Sequence, residues 1–184
     1  MNALIGHTGF VGGVLSKDIP NCDFYNSGNI KDIKGKKYTN IFCCGVSGVR
    51  WWANQNPNED WLRIESLINN LKDVQCHKFF LISTIAVEDN EPYGVNRKRV
   101  EDLIEELFPS VVIYRLPSVY GDGLKKNLLF DMLNDSLRSP INLEHTMQWY
   151  NVNNLYNDIL SNTALGVHEF YNEPITHKEL TELF

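Results

Sequence analysis

Short apolar runs recur along the chain and are separated by polar, glycine-containing segments. They occupy residues 1–5, 22–25, 41–44, 79–82 and 111–114. In the last three runs the apolar residues are continuous rather than alternating with polar ones, which is typical of parallel strands covered on both faces. We therefore predict a strand at each of the five runs, with the last three buried at the centre of a sheet.

Two intervening segments have helical periodicity. Residues 58–74 place one apolar stripe on a helix with Asn58 as its N-cap, and residues 93–107 repeat the pattern until Pro109 stops it. The stripes consist of Trp61, Ile64, Leu67, Ile68 and Leu71, and of Val100, Leu103, Ile104 and Leu107. Strands alternating with helices predict an α/β fold, a doubly wound parallel sheet of Rossmann-like type. The asparagine-rich residues 54–58 are predicted to form a turn.

The pattern weakens beyond Gly121. Residues 124–137 and 152–160 are predicted to be helical, and residues 167–171 to form a last strand. This tail supplies few elements of its own. We therefore predict a single domain over residues 1–184, in which residues 121–184 form a reduced C-terminal cap on the carboxyl edge of the sheet.

Composition narrows the class of partner. The 184 residues include 17 Lys and Arg against 23 Asp and Glu, a formal net charge of −6, which disfavours a nucleic-acid footprint or a polybasic membrane anchor. No apolar stretch approaches the roughly 20 residues that cross a bilayer, and no basic leader precedes the first strand, so a cytoplasmic protein with a small-molecule partner is expected. The four cysteines lack metal-ligand spacing and are predicted to be buried reduced thiols with no metal: Cys22, Cys43, Cys44 and Cys76.

Three glycines directly follow the first predicted strand. Gly6, Gly9 and Gly12 have the spacing G-x-x-G-x-x-G and precede a predicted helix. Glycines at such a turn let the backbone approach a pyrophosphate, and the helix start offers free N–H groups. An ordinary tight turn is the alternative, but the position directly after the strand favours a dinucleotide site.

With this glycine loop the chain resembles the short-chain dehydrogenase/reductase superfamily, in particular its extended and atypical branch of NAD-dependent epimerases, dehydratases and dTDP-4-dehydrorhamnose reductases. The landmarks of the resemblance are residues 6–12, 41–45, 81–84, 93–97, 115–121 and 152–154. It implies NAD or NADP as cofactor and a nucleotide-sugar, or a related carbonyl or alcohol, as substrate. It also implies a homodimer formed through the helices at 58–74 and 93–107.

The resemblance also implies a set of cofactor contacts. In the glycine loop these are Gly6, Thr8, Gly9, Phe10, Val11 and Gly12; the adenosine side would be lined by Cys44, Gly45 and Val46, and the nicotinamide side by Pro117 and Ser118. Asn26 and Ser27 occupy the end of the second strand, where a carboxylate usually binds the ribose hydroxyls. Because neither repels a 2′-phosphate, this pattern permits both NADP and NAD.

The catalytic residues follow from the same resemblance. Tyr93 matches the tyrosine of a Tyr-x-x-x-Lys pair, and Thr84, or as the less favoured choice Ser83, matches the hydroxyl that holds the substrate oxygen. Arg97 stands at the lysine position and keeps its charge, but a planar guanidinium does not reproduce an ammonium. The alternative is a tyrosine packed at a helix start, followed by a solvated basic run at 97–99.

Two further features leave the function open. Trp51 and Trp52 follow the third strand, where they could stack on a sugar or base, although core packing is favoured. Asn153 and Asn154 replace an acidic residue that is usual in the family. The leading hypothesis is an NAD(P)-dependent oxidoreductase or epimerase. The alternative is a catalytically silent dinucleotide-binding sensor or scaffold, and a third, weaker one is an interaction subunit without cofactor.

Overall fold

The structure is a computed structural model that describes residues 1–137, 140–170 and 172–182. Its strands and helices follow one another in this order: β1 (Asn2–Ile5), α1 (Phe10–Leu15), β2 (Cys22–Tyr25), β3 (Lys37–Cys43), α2 (Arg50–Gln55), α3 (Pro57–Leu71), β4 (Gln75–Thr84), α4 (Pro92–Leu107), β5 (Val111–Leu116), β6 (Ser118–Tyr120), α5 (Leu128–Leu133), β7 (Thr146–Met147), β8 (Trp149–Asn151), α6 (Leu155–Ser161), β9 (Gly166–Glu169), β10 (Ile175–Thr176) and α7 (His177–Glu182). All five strands predicted from the apolar runs are present.

A parallel sheet of six strands organises the molecule, in the order β2-β1-β3-β4-β5-β9. Ile5 at the end of β1 is in register with Tyr25 of β2 on one side and with Cys43 of β3 on the other. The chain therefore reverses its direction of winding at β1. In open α/β sheets the ligand crevice lies at such a reversal, outside the carboxyl ends of the strands.

Both faces of the sheet are covered by apolar side chains, which confirms the doubly wound α/β fold. Ile41 and Phe79 face a cluster that includes the stripes of α3 and α4, whereas Phe42 and Phe80 point to the opposite face, where α1 and α6 pack. The rings of Phe42 and Phe80 stack with their centroids 4.8 Å apart. Successive residues of one strand thus serve opposite cores, and this requires the continuous apolar runs of the sequence.

The two long helices lie close to their predicted positions, but the segment before α3 does not. Asn56, not Asn58, occupies the N-cap position, and Pro57 begins the helix. The turn predicted over residues 54–58 is wrong, because α2 extends through Gln55. Asn56 also closes the C-terminal end of α2, where its Nδ2 donates to the Trp52 carbonyl at 3.0 Å.

Beyond β5 some of the predicted elements are present and one is largely wrong. The helix predicted over residues 124–137 is wrong for most of its length, since α5 covers only Leu128–Leu133. Gly123 has a φ of +84°, a left-handed conformation that does not continue into a helix. The helix predicted at 152–160 is present as a 3₁₀ turn followed by α6. The strand predicted at 167–171 is present as β9, and Tyr171, the end of that prediction, lies outside the described residues.

The tail after Gly121 has two structural roles. Val152, Leu155 and Ile159 join the core on the α1 face of the sheet. Leu129, Trp149 and Leu180 form a separate small apolar cluster beside the paired strands β6 and β8. Within the described part of the chain, no helix combines the length and the apolar character needed to cross a membrane.

Candidate functional site at the carboxyl edge of the sheet

The glycine loop packs tightly against the end of β3. Gly6 has a φ of +87°, and a Cβ atom on it would lie 2.5 Å from the Cys44 carbonyl oxygen. A Cβ on Gly12 would lie 2.2 Å from the Gly6 oxygen. Both contacts are far inside van der Waals distance, so only glycine permits this close approach between the loop, α1 and β3.

The outer side of the loop is open. Among the residues that the structure describes, a Cβ on Gly9 would meet only the Gly6 oxygen, at 3.4 Å, and Gly9 and Thr8 are both exposed. Helix α1 begins at Phe10, directly after this exposed corner, and the first N–H groups of a helix have no partner within it. The loop therefore forms a shallow cradle lined by backbone, which fits a pyrophosphate. Phe10 and Val11 turn inward and pack against the core.

His7 is a residue of this loop to which the sequence assigned no role. Its ring lies 5.5 Å from that of Phe24 on β2, and its Nδ1 is buried without a hydrogen-bond partner among the described residues. An unsatisfied buried polar atom costs free energy. Nothing in the residue pattern signals this atom, because its burial depends on how β2 packs beside the loop.

The end of β2 has no carboxylate. Asn26 forms a turn with its neighbours: its Oδ1 accepts the Gly28 N–H at 2.8 Å, and its own N–H donates to Asn29 Oδ1 at 2.7 Å. Ser27 is exposed beside it. Asp32, the next acidic residue along the chain, lies in a 3₁₀ turn after the strand.

Cys44 and Gly45 lie directly against the glycine loop. The Cys44 N–H donates to the Ile5 oxygen at 2.8 Å, and a Cβ on Gly45 would lie 2.9 Å from Ile5 Cγ2. Burial raises the pKa of the Cys44 thiol well above its usual value, which makes it a packing group rather than a nucleophile. All four cysteines are free thiols; Cys43 is fully buried, and the other three are partly buried.

Thr84 ends β4, and Tyr93 packs beside Ala86, two residues beyond it. Tyr93 is buried in a small cluster with Ala53 and Ala86, and its N–H donates to Asn54 Oδ1 at 2.9 Å. Thr84 precedes Ala86 by two residues, and its hydroxyl accepts the Ala86 N–H at 3.2 Å. Helix α2, which follows β3, therefore braces the start of α4, which carries Tyr93.

Arg97 is in the interior. It is 4% exposed and forms a bidentate ion pair with Asp60 of α3, at 2.7 Å and 3.0 Å, while its Nη2 also donates to the Ser47 carbonyl at 2.6 Å. The alternative of a solvated Arg97 is wrong. Burial alone would raise the pKa of Asp60, but hydrogen bonds from Arg97 and Asn96 lower it below its usual value. The guanidinium carbon of Arg97 lies 4.3 Å from the centroid of the Tyr93 ring.

Ser83 is engaged in a buried charge network that the sequence did not indicate. Its hydroxyl donates to Glu101 Oε1 at 2.6 Å, and Glu101 also accepts from Arg115 Nη2 at 2.7 Å. Arg115 further contacts Glu88 and Glu169, and its hydrogen bonds with Glu101 and Glu169 raise its pKa despite burial. The network ties β4, α4, β5 and β9 together.

The remaining predicted residues lie farther along the same edge. Pro117 is buried, and Ser118 begins β6, in register with Trp149. Trp52 packs against the cluster of Tyr93, which confirms core packing for this residue. Trp51 is 64% exposed, so core packing is wrong there.

Comparison with known proteins gives matches in structure only. No protein-family model and no curated protein matches this chain. MoeE5 in complex with UDP-glucose and NAD superposes with a TM-score of 0.76 at 17% identity, over 99% of this chain and 80% of that one. The UDP-glucose 4-epimerase of Thermotoga maritima gives 0.75 at 16% identity, over 100% and 81%.

This chain has the short-chain dehydrogenase/reductase fold. The resemblance drawn from the sequence motifs is therefore confirmed at the level of fold. The dTDP-4-dehydrorhamnose reductase of Bacillus anthracis, in complex with NADP, shares this short-chain dehydrogenase/reductase fold with a TM-score of 0.73 and 15% identity, over 99% of this chain and 78% of that one. The neighbours thus include proteins solved with NAD and with NADP.

Proposed function

We propose that this chain is an NAD(P)-dependent oxidoreductase or epimerase that acts on a nucleotide-sugar or a related carbonyl or alcohol. The observation that carries the proposal is the packing of the glycine loop against the end of β3. This packing is so close that a Cβ placed on Gly6 would lie 2.5 Å from the Cys44 oxygen. This contact builds an open backbone cradle at the reversal of strand order. NAD or NADP in the neighbours MoeE5 and dTDP-4-dehydrorhamnose reductase supports the same class.

The residues at the cradle fit a dinucleotide. Gly9, Thr8 and the start of α1 would hold the pyrophosphate, and Asn26 and Ser27 would face the adenosine ribose. Because both side chains are neutral, this site would accommodate either a ribose hydroxyl or a 2′-phosphate. Cys44, Gly45 and Val46 would line the adenosine side, and Pro117 and Ser118 the nicotinamide side.

Tyr93 and Thr84 would handle the proton of the substrate. When bound, the nicotinamide supplies hydride exchange with a substrate carbon. Tyr93 would hold or release the proton at its Oη, acting on the oxygen of that carbon. Thr84 Oγ accepts the Ala86 N–H, so its own proton is available to orient the same oxygen. The small cluster around Tyr93 excludes water from the back of the ring.

A second candidate function is a catalytically silent dinucleotide-binding module. The observation that favours it is the engagement of both terminal nitrogens of Arg97 by Asp60 and the Ser47 carbonyl. A charge held in this way is neutralised locally and is not directed at a ribose. Sensing or scaffolding requires the cradle but not the proton transfer.

Calorimetric titration with NAD⁺, NADH, NADP⁺ and NADPH tests the shared part of both candidates. We expect saturable binding of at least one. If none of the four binds to the unmodified protein, both are wrong. A turnover screen with nucleotide-sugars and simple carbonyl compounds then separates them, because a protein that binds a dinucleotide but turns over no compound in the screen fits the silent module.

A further inference from the structure

The ion pair of Arg97 and Asp60 links three parts of the candidate site. Asp60 is 2% exposed and accepts from Arg97 twice and from Asn96 Nδ2 at 2.9 Å. Arg97 lies over the ring of Tyr93 and donates to the Ser47 carbonyl at 2.6 Å. Ser47 directly follows Cys44, Gly45 and Val46, the segment that packs against the glycine loop.

We propose that Asp60 is a positioning residue, which uses the guanidinium of Arg97 as a clamp to hold residues 44–47 and the Tyr93 ring in one arrangement. This inference rests on the proposed function, since it names which residue prepares both the dinucleotide side and the tyrosine side of the same site. Arg97 then acts through its neighbours and not as a ligand of the cofactor.

The geometry of the clamp supports this role. A planar guanidinium can satisfy a carboxylate with two parallel hydrogen bonds and still offer one face to an aromatic ring. Arg97 does both here, and its Nη2 also bonds the Ser47 carbonyl. Its Nε is buried without a partner among the described residues, so the observed orientation is set by the carboxylate, the carbonyl and the ring together. A lysine could make only part of these contacts.

The test is a double-mutant cycle on the full chain. The variants are Asp60→Asn, Arg97→Gln and the double variant. Lys98→Gln is the matched control, because Lys98 is exposed on the same helix and pairs with Asp102 one turn along it. Removing one partner of a buried pair is strongly destabilising, whereas the double variant leaves no unpaired buried charge and is the variant expected to fold best. Hydrogen exchange of the amides of residues 44–49 is measured without dinucleotide, together with global unfolding and the dinucleotide dissociation constant.

The clamp predicts that the double variant retains a melting temperature near that of the parent. Exchange at residues 44–49 should nevertheless be about tenfold faster or more, with no change at the sheet amides. Each single variant that folds should loosen the same segment, and the losses in dinucleotide affinity should be non-additive, so that the double variant binds about as weakly as a single one. Lys98→Gln should match the parent in all three measurements, because an exposed ion pair within one helix contributes little to stability.

Two results would overturn the clamp. One is parent-like exchange at residues 44–49 in the folded double variant. The other is loss of dinucleotide affinity in Arg97→Gln but not in Asp60→Asn, which would make Arg97 a direct ligand. If the parent binds no dinucleotide, the proposed function fails, but the exchange measurement still decides whether the clamp exists.

Discussion

The hydroxyl of Ser83 donates a 2.6 Å hydrogen bond to the buried carboxylate of Glu101. Glu101 is in turn held by Arg115 through two hydrogen bonds, at 3.1 Å and 2.7 Å. Ser83 therefore serves an interior charge network. Thr84, the next residue on β4, points to the other side of the strand, and among the described residues its hydroxyl accepts only the Ala86 N–H. Thr84 is therefore the better placed of the two for the proposed substrate.

This difference predicts opposite outcomes for two similar substitutions. Thr84→Val should lower kcat/KM, because it removes a hydroxyl directed to the substrate oxygen, and should cost about 1 kcal/mol of unfolding free energy, because the Ala86 N–H loses its acceptor. Ser83→Ala should leave kcat/KM near the parent value but cost about 1–3 kcal/mol of unfolding free energy, since Glu101 loses a buried partner. Steady-state kinetics and urea unfolding measure both. A large kinetic loss in Ser83→Ala alone would exchange their roles.

Tyr93→Phe should reduce turnover by about 10²–10⁴-fold, because it removes the group that exchanges the proton. The free energy of dinucleotide binding should change by less than about 1 kcal/mol, since the ring and its packing remain. Kinetics and calorimetry on the same preparation measure the two effects. A variant that keeps the parent rate would place proton transfer elsewhere.

The glycine loop offers three graded substitutions. Gly9→Val should fold normally and lose dinucleotide binding, because its side chain projects into the open cradle. Gly12→Ala should destabilise the protein, since its Cβ would lie 2.2 Å from the Gly6 oxygen. Gly13→Ala is the control: its Cβ would be 3.6 Å from the His7 oxygen, an ordinary contact, and it should bind and fold like the parent. Melting temperature and calorimetry distinguish these cases, and dinucleotide binding by Gly9→Val would argue against this cradle.

The homodimer remains a prediction, now with a defined surface. Trp61, Arg99 and Leu103 line a groove between α3 and α4, and Leu62 on α3 is 60% exposed. If two copies associate through these helices, Leu62→Glu should raise the dimer dissociation constant at an unchanged melting temperature of the monomer. Sedimentation velocity over a range of concentrations measures this. A clean 21.2 kDa species at high concentration would show that the helices only cover the sheet.

The free energy of unfolding at acid pH should depend on the ionisation of Asp60. Its pKa in the folded protein is lowered by Arg97 and Asn96 against the effect of burial, so the ionised form stabilises the fold. This contribution is complete above the pKa of the unfolded carboxyl, about 3.9, and is lost as the pH falls through the pKa of the folded state. The parent should therefore lose more unfolding free energy than Asp60→Asn between pH 6 and pH 2, as followed by urea unfolding. Equal losses of unfolding free energy in the parent and in Asp60→Asn would contradict a lowered pKa of Asp60.

The sequence by itself determined the features that depend on neighbouring residues. Short apolar runs predicted the five strands. The continuous runs at 41–44, 79–82 and 111–114 predicted the central ones, because a strand buried on both faces needs apolar residues at every position. The glycine spacing predicted the loop for the same local reason, since the turn from β1 into α1 involves only a few successive residues. The helix ends and the elements of the tail were harder to predict from the sequence, because α2 and α5 are short helices of six residues each.

Only the tertiary structure decided which charged residues meet. Asp60 and Arg97 are 37 positions apart, and Ser47 and Arg97 are 50 apart. In the sequence the basic run at 97–99 has the composition of a solvated surface, and nothing local shows that one of its members turns inward. Arg97 is buried because α3 and α4 pack side by side on the sheet and bring a carboxylate and a carbonyl within reach of its guanidinium. The free energy of burying that charge depends on those distant partners, so no property of the segment itself could reveal it.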